Sequence, residues 1–558
     1  MSVLLDRASG LAQRRPRLAL ALLCLALFLP GFFTIPATDR DESRFAQATR
    51  QMLDSGDYVH IRVGPDERNK KPVGIHWAQA ASVQVLDAVG LATRRDIWAY
   101  RVPSLAGAIL AVLATFQFGR ALVGRRAALL GAAMLAGCMV LVVEAHIAKT
   151  DAALLATITA AMGLFGAAYL RPARFTARHA TAFWLILGLG ILLKGPIAPM
   201  VPLFAGLTLA LMDGGKGRRL HAPWFRALRA AWGVPLMLAV TLPWFAAIGI
   251  ATEGRFFAQA IGDDMLGKVG QGDEKHWGPP GYYLLTFAIA AFPSAWIAVM
   301  AARHVWAGRA QAPVRFLLAW IVPTWLLFEA VATKLPHYVM PTYPAVMLLA
   351  AMWALDPLRL EPPRWLRWLA LGLLAAVALG LGAVAVVVPF VVTGHEPLGA
   401  LLAVPAAALL LWLVWREARQ ARWARAAGVG VVAAIPLYAT ILEGTFPRIE
   451  PLWVAPRLEA MLAERAPGLR PQDFALTSHA EPSTRFHVGT EIHMLARGEE
   501  VARFLAASPG RVVAVGNRAE ADFRREAERL GIQPTEIGQL PGYNYTRGRH
   551  LTLLLFRL

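Results

Sequence analysis

The stretch "RPRLALALLCLALFLPGFFTIPATDRDESRFA", residues 15–46, decides the fold. A basic segment leads into an apolar run over 17–35, long enough to cross a bilayer. The run ends at a cluster of two aspartates, a glutamate and two arginines, Asp39 to Arg44. Its length, and the lack of a clear small-residue cleavage site, argue for a retained first helix rather than a signal peptide. Similar runs recur to about residue 443. A hydrophobic content of 57%, a charged content of 17% and a mean hydropathy of +0.47 argue against a soluble protein with buried helices.

Hydropathy predicts about thirteen spans, near 17–35, 98–121, 126–143, 151–170, 180–194, 196–212, 226–249, 283–303, 315–332, 336–355, 364–393, 398–415 and 425–443. With the N-terminus inside, the inner loops, such as "GRALVGRR" and "WREARQARWAR", are short and arginine-rich. The short outer loops, such as "EAHIAKTD" and "ATKLPH", are not, so the positive-inside rule is obeyed. An odd number of spans then puts residues 444–558 outside. There "RLEAMLAERAPG", "EVARFLAASPG" and "EADFRREAERLGI" read as helices, and "DFALTSH", "RVVAVGN" and "LTLLLFRL" as strands. The expected fold class is therefore an all-α polytopic membrane domain over 1–443 with a small outer α/β domain over 444–558. Two long outer loops, 36–97 and 250–282, interrupt the first domain. The first of them holds two amphipathic helices, "DESRFAQATRQMLDSG" and "VGIHWAQAASVQVLDAVG", of the kind that lie in the interface plane.

The net charge of +19 invites a nucleic-acid reading. Arginines at inner helix ends explain it better, with membrane lipids as the anionic partners and no nucleic acid. The two cysteines, Cys24 and Cys138, fall inside apolar runs, which excludes a disulfide framework and a thiolate metal site. No phosphate-binding loop or dinucleotide fingerprint appears.

The lysines are informative. Of 56 basic residues only eight are lysines, and all but Lys216 fall on the expected outer side. Several sit in short motifs at span ends. "NKKPVGIHW" carries Lys71 and His76, "EAHIAKTD" carries Lys149 and Asp151, and "LLKGP" carries Lys194. "TKLPHYVMPTYP" carries Lys334, His337 and Tyr338, and "KHWGPPGYY" carries His276 and Tyr283. A lysine is a compact charge suited to a phosphate. Each site alone reads as snorkelling or interfacial anchoring. Together they predict a shared outer cavity for an anionic ligand.

The pairing of Asp41-Glu42 in "DESRFAQATRQMLDSGDY" with "KKPVGIHW" resembles the GT-C membrane glycosyltransferases, which use polyprenyl-phosphate sugars. Within them the chain is most similar to the bacterial lipid A 4-amino-4-deoxy-L-arabinose transferases, although Phe45 stands where that family usually has tyrosine. The resemblance implies a multi-pass protein of the bacterial inner membrane, with its N-terminus cytoplasmic and its C-terminal domain periplasmic. It implies undecaprenyl-phosphate aminoarabinose as donor and a lipid A phosphate as acceptor. The expected catalytic residues are Asp41, Asp151 and Lys71. Glu42, Arg44, His76, Lys149, Lys194, His276, Tyr283, Lys334, His337 and Tyr338 are expected to bind substrate. Asp41 is placed at the reacting centre, and Lys71 and Arg44 on the departing phosphate. Glu42 has a local alternative as a capping or pairing acid, and Asp151 as an N-cap. No cofactor is required. A divalent cation has weak candidates in Asp273, Glu274 and His276, whose spacing is not diagnostic. Two alternatives stand beside this reading: a protein O-mannosyltransferase-like enzyme, and a lipid-linked sugar flippase. The flippase would put charges deep in the spans, where none is seen.

Overall fold

A computed structural model describes residues 10, 14–214, 222–266, 277–395 and 398–558. The chain is mostly helical. The first apolar run is a helix only over Pro16–Phe28 (α1), because Pro30 and Gly31 turn it before the charged cluster. The first long loop folds as α2 (Asp41–Ser55), a small hairpin of β1 (Arg62–Val63) and β2 (Asp66–Glu67), and α3 (Gly74–Ala88). The bundle continues through α4 (Ile97–Val123), α5 (Arg125–Gly137), α6 (Met139–Ala145), α7 (Asp151–Leu170), α8 (Ala177–Lys194), α9 (Ile197–Asp213) and α10 (Ala230–Ala251). It closes with α11 (Tyr282–Ala290), α12 (Ala295–Ala307), α13 (Ala312–Ala330), α14 (Tyr343–Leu355), α15 (Arg364–Thr393), α16 (Ala403–Ala418) and α17 (Trp423–Ala439).

Among the described residues, eight helices are long and apolar enough to span a membrane, or nine if α5 and α6, bent by 63°, form one broken span. Several expected spans are therefore shorter or interrupted. The α-helix of the 336–355 span starts only at Tyr343, after a 3₁₀ turn over Met340–Thr342, because Pro336 and Pro341 withhold donors from the segment before it. Breaks inside the bundle need their freed carbonyls satisfied. Here the Tyr438 hydroxyl donates to the carbonyls of Gly137 and Phe292, each at 3.0 Å, tying two breaks to α17. Helices α4 and α7 cross closely because Gly107 carries no Cβ, which would lie 2.6 Å from Ala153 Cα.

The C-terminal part is α/β. It runs α18 (Val454–Arg465), β3 (Phe474–Leu476), α19 (Pro482–Val488), β4 (His493–Met494), α20 (Gly498–Ala506), β5 (Val512–Gly516), α21 (Glu520–Arg529), β6 (Thr535–Asn544) and β7 (Arg549–Arg557). The sheet order is β4-β3-β5-β7-β6, with β3 parallel to β4 and β5, and β7 antiparallel to β5 and β6. The three expected strands and three expected helices are present. The strands β4 and β6 and the helix α19 went unread, since two of them are very short and β6 lacks an apolar alternation.

This sheet domain sits on α2. Gln47 donates to the Thr490 hydroxyl at 2.7 Å, Arg50 donates to the Phe486 carbonyl at 2.6 Å, and Phe486 meets Tyr100 edge to face. Protein encloses most of the side chains of α2. The first loop and the sheet domain thus occupy the same end of the bundle.

Candidate active site

The "TDRDESRFA" stretch is fixed from its centre. Glu42 is fully buried, and its carboxylate accepts from Arg101 Nε at 2.7 Å and Arg101 Nη2 at 3.0 Å. It also accepts from the Thr38 amide and hydroxyl, each at 2.8 Å, and from the Ala148 amide at 3.0 Å. Burial opposes its ionisation, but the Arg101 charge and these bonds outweigh it and hold the carboxyl below its usual range. Arg101 spends its remaining donors on the carbonyls of Phe32, Ile35 and Pro36. Glu42, expected among the substrate-binding residues, therefore ties α2, α4 and the loop before α7 together.

That knot sets its neighbours in place. Asp41 is half exposed, and its Oδ1 lies 3.8 Å from Arg44 and 3.7 Å from Arg68. Asp39 turns toward the sheet domain, accepting from Ser483, while its amide donates to the Tyr545 hydroxyl at 2.5 Å. Burial lifts the Asp39 carboxyl from 3.8 to about 7, and nearby Glu481 adds to the rise.

Below Asp41 lies a buried charge cluster. Lys149 Nζ is 2.9 Å from Glu144 Oε1 and 3.6 Å from Asp151 Oδ2, and Lys194 Nζ bonds Asp151 Oδ1. Burial opposes the Lys149 charge, yet the two carboxylates outweigh it and raise its pKa. His337 approaches Glu144 at 3.5 Å and Asp151 at 3.7 Å, but burial and the flanking lysines push its pKa well below the usual value. Lys194 Nζ also lies 5.3 Å from the centre of the Tyr338 ring. Thr150, not Asp151, holds the N-cap position of α7, and without a side-chain cap bond.

Two cavities meet at this cluster. The first, of about 970 Å³, is lined by Asp41, Arg44, Arg68, Lys70, Lys71, Glu144, Lys149, Asp151, Lys194, His337 and Tyr338. The second, of about 750 Å³, is apolar and lined by Met200, Phe204, Phe245, Phe257, Ile261 and Phe328 among others. Both share Lys70, Lys71, Asp151, Lys194, His337 and Tyr338. An ionic chamber thus opens into a hydrophobic channel through a ring of lysines, histidine and tyrosine. Such an arrangement suits a molecule with a long apolar tail and a phosphate head.

Three expected site residues lie elsewhere. His76 is fully buried behind Phe45, stacked on it at 5.3 Å, with Nδ1 2.8 Å from the Thr49 hydroxyl; burial drops its pKa to about 3. Lys334 donates to the carbonyls of Glu329 at 2.7 Å and Val331 at 2.6 Å, closing the C-terminal end of α13. Tyr283 packs behind that end, its amide donating to Glu329 Oε1 at 3.2 Å. None of the three lines either cavity. Asp273, Glu274 and His276 lie outside the described residues. Glu144, upstream of Lys149 in the same outer motif, joins the site; Arg68 was not singled out by its sequence context, and neither was Arg485, which reaches the chamber from the sheet domain. The Glu144, Asp151 and His337 ligand atoms lie within 4.8 Å of one another, a metal-like grouping. Lys149 and Lys194 lie against its two carboxylates.

Residues 18–218 match the dolichyl-phosphate-mannose-protein mannosyltransferase family. A protein of Pectobacterium carotovorum named undecaprenyl phosphate-alpha-4-amino-4-deoxy-L-arabinose arabinosyl transferase is 28% identical over 359 residues, covering 61% of each chain. A Pseudomonas aeruginosa protein of the same name is 27% identical over 379 residues, covering 66% of each. The chain therefore spans about three fifths to two thirds of the length of these relatives. In three dimensions it superposes on ArnT from Cupriavidus metallidurans bound to undecaprenyl phosphate, with a TM-score of 0.75, 18% identity and 98% of both chains covered. An Archaeoglobus fulgidus oligosaccharyltransferase matches more loosely, at a TM-score of 0.51, 12% identity, and 94% of this chain and 69% of that one. The chain has the ArnT-like GT-C fold: a polytopic helical domain followed by a small sheet domain.

Proposed function

We propose that this GT-C fold membrane protein is a glycosyltransferase that moves 4-amino-4-deoxy-L-arabinose from undecaprenyl phosphate to a phosphate of lipid A. The observation that carries the reading is the junction of a charged chamber with an apolar channel at Lys70, Lys71, Lys194 and Tyr338. The relatives' names supply the sugar and the carrier lipid. In this reading the polyprenyl tail lies along Met200, Phe204, Phe257 and Phe328, and its phosphate rests on the lysine ring.

Transfer needs little proton chemistry. An acceptor phosphate oxygen attacks the anomeric carbon of the sugar. The bond from that carbon to the donor phosphate breaks, and its electron pair leaves with undecaprenyl phosphate. The nucleophile is already an anion, so no strong base is required. The departing phosphate gains charge, and Lys71 and Lys194 stabilise it as preorganised cations. Asp151 holds Lys194 at the junction, and Glu144 holds Lys149 in the chamber wall beside it. Asp41, the exposed carboxylate of the chamber, holds the sugar's ammonium or orients the acceptor. The chamber faces the periplasm, with the N-terminus in the cytoplasm and the sheet domain outside. The capped phosphate lowers the negative charge of the outer surface and so its attraction for polymyxin-like cationic peptides.

Mass spectrometry of lipid A from cells with and without the protein tests this. One aminopentose per modified phosphate, lost in Asp41→Asn, is the expected result. Unchanged lipid A would remove the lipid A reading. The match of residues 18–218 to a protein mannosyltransferase family favours glycoproteins as the next product to examine.

A further inference from the structure

The upper end of the chamber is built from arginines on three separate elements. Arg44 comes from α2, Arg68 follows β2, and Arg485 comes from α19 of the sheet domain. Arg68 lies over the Phe45 ring, 4.5 Å from its centre, and both Arg44 and Arg68 approach Asp41. Arg485 is held most firmly. Its Nη1 donates to the carbonyls of Thr490 at 2.6 Å and Ile492 at 2.9 Å. Its guanidinium lies flat against the β1–β2 turn, where a Cβ on Gly64 would sit 2.7 Å from Arg485 Cζ. Gly64 has φ +66° and is itself clamped by Gln51, which accepts from its amide at 2.7 Å and donates to its carbonyl at 2.9 Å. Glycine alone fits there. Among the described residues Arg485 makes no ion pair within 4.0 Å; the Asp66 carboxylate acts on its charge only from farther away, and the carbonyl bonds both come from Nη1. A fixed guanidinium in a cavity wall, with carbonyls rather than a carboxylate as partners, suits an anionic oxygen ligand.

We propose that Arg485, with Arg68, forms a second phosphate subsite that binds the phosphorylated headgroup of the acceptor lipid. The inference rests on the transferase reading above and gives the sheet domain a direct part in acceptor recognition. The donor phosphate occupies the lysine ring at the channel mouth. The acceptor headgroup enters from the side the sheet domain covers, over Ala480, Pro482 and Met494, and meets Asp41 between the two subsites.

The test is steady-state transfer by the full-length protein in detergent, with lipid A and the aminoarabinose donor varied in turn, alongside direct binding of undecaprenyl phosphate. Arg485→Ala should raise the KM for lipid A roughly ten- to a hundred-fold, as loss of one charge-assisted contact does, and leave undecaprenyl phosphate affinity unchanged. Arg485→Lys should recover part of the loss. Met494→Glu, a neighbour in the wall that adds a negative charge, should raise the same KM and serves if Arg485→Ala does not fold. An unchanged KM for lipid A in Arg485→Ala and Met494→Glu would overturn the subsite, and so would an equal loss of donor affinity. A wild-type protein that transfers nothing to lipid A would instead refute the transferase reading itself.

Discussion

Replacing Glu42 with glutamine separates two roles that the sequence leaves open. The carboxylate accepts five hydrogen bonds, two of them from an arginine that is itself fully buried. The amide cannot balance the guanidinium, and its own NH2 points donors at donors. Breaking one partner of such a buried pair costs about 3–5 kcal/mol, because the remaining charge is left uncompensated. The loss falls where residues 32–38, α2, α4 and the loop before α7 join. Glu42→Gln should therefore lower the thermal unfolding midpoint in detergent by several degrees and reduce the yield of folded protein. Any fall in transfer should follow the folded fraction. The double variant Glu42→Met with Arg101→Met should recover much of the stability, since a buried pair is often replaceable by apolar side chains of similar volume. An unaltered unfolding midpoint with abolished turnover in Glu42→Gln would refute the reasoning and put the carboxylate on the substrate.

Asp41→Asn and Lys71→Ala should each abolish transfer. For Asp41, half exposed at the chamber rim, the stability change should stay within about 0.5 kcal/mol, measured by thermal unfolding beside product formation. His76→Phe should keep transfer, because the ring faces Phe45 and Thr49; loss of the Thr49 contact should cost about 1 kcal/mol, and an inactive but stable variant would return His76 to the site. Asp39 makes the seating of the sheet domain pH-dependent. Its folded pKa, about 7, lies above the ordinary 3.8, so the folded state favours the protonated form. No penalty exists below the ordinary value. The penalty grows as pH rises from about 4 to about 7 and is complete above that. Asp39→Asn, which keeps the Ser483 and Tyr545 neighbours and faces Glu481 without a charge, should flatten this dependence and raise stability at pH 8, as read by proteolysis of the sheet domain.

The membrane character, the sheet domain and the importance of the first outer loop were legible along the chain. Hydropathy is a local sum, and a run such as 364–393 keeps its meaning whatever it packs against. Helices α2 and α3 were equally readable, since their apolar spacing and charged faces are local. The lysine bias toward one face pointed to an anion site before any geometry, and Lys71, Lys149 and Lys194 all line the first cavity. What each charged residue faces was decided by tertiary structure. Asp41 and Glu42 are neighbours in sequence and both border the chamber, yet a helix turns adjacent side chains about 100° apart, so one is half exposed and the other is buried against Arg101. Lys194 ends α8, and Lys334 follows the end of α13 by four residues. One meets Asp151 on a different helix, and the other bonds the carbonyls of Glu329 and Val331 beside the Tyr283 ring. Arg485 joins the chamber although more than four hundred residues separate it from Asp41, because the sheet domain seats on α2. Burial propensity and periodicity are written residue by residue. Charge pairing at a site depends on which elements meet in space, and packing alone decides that.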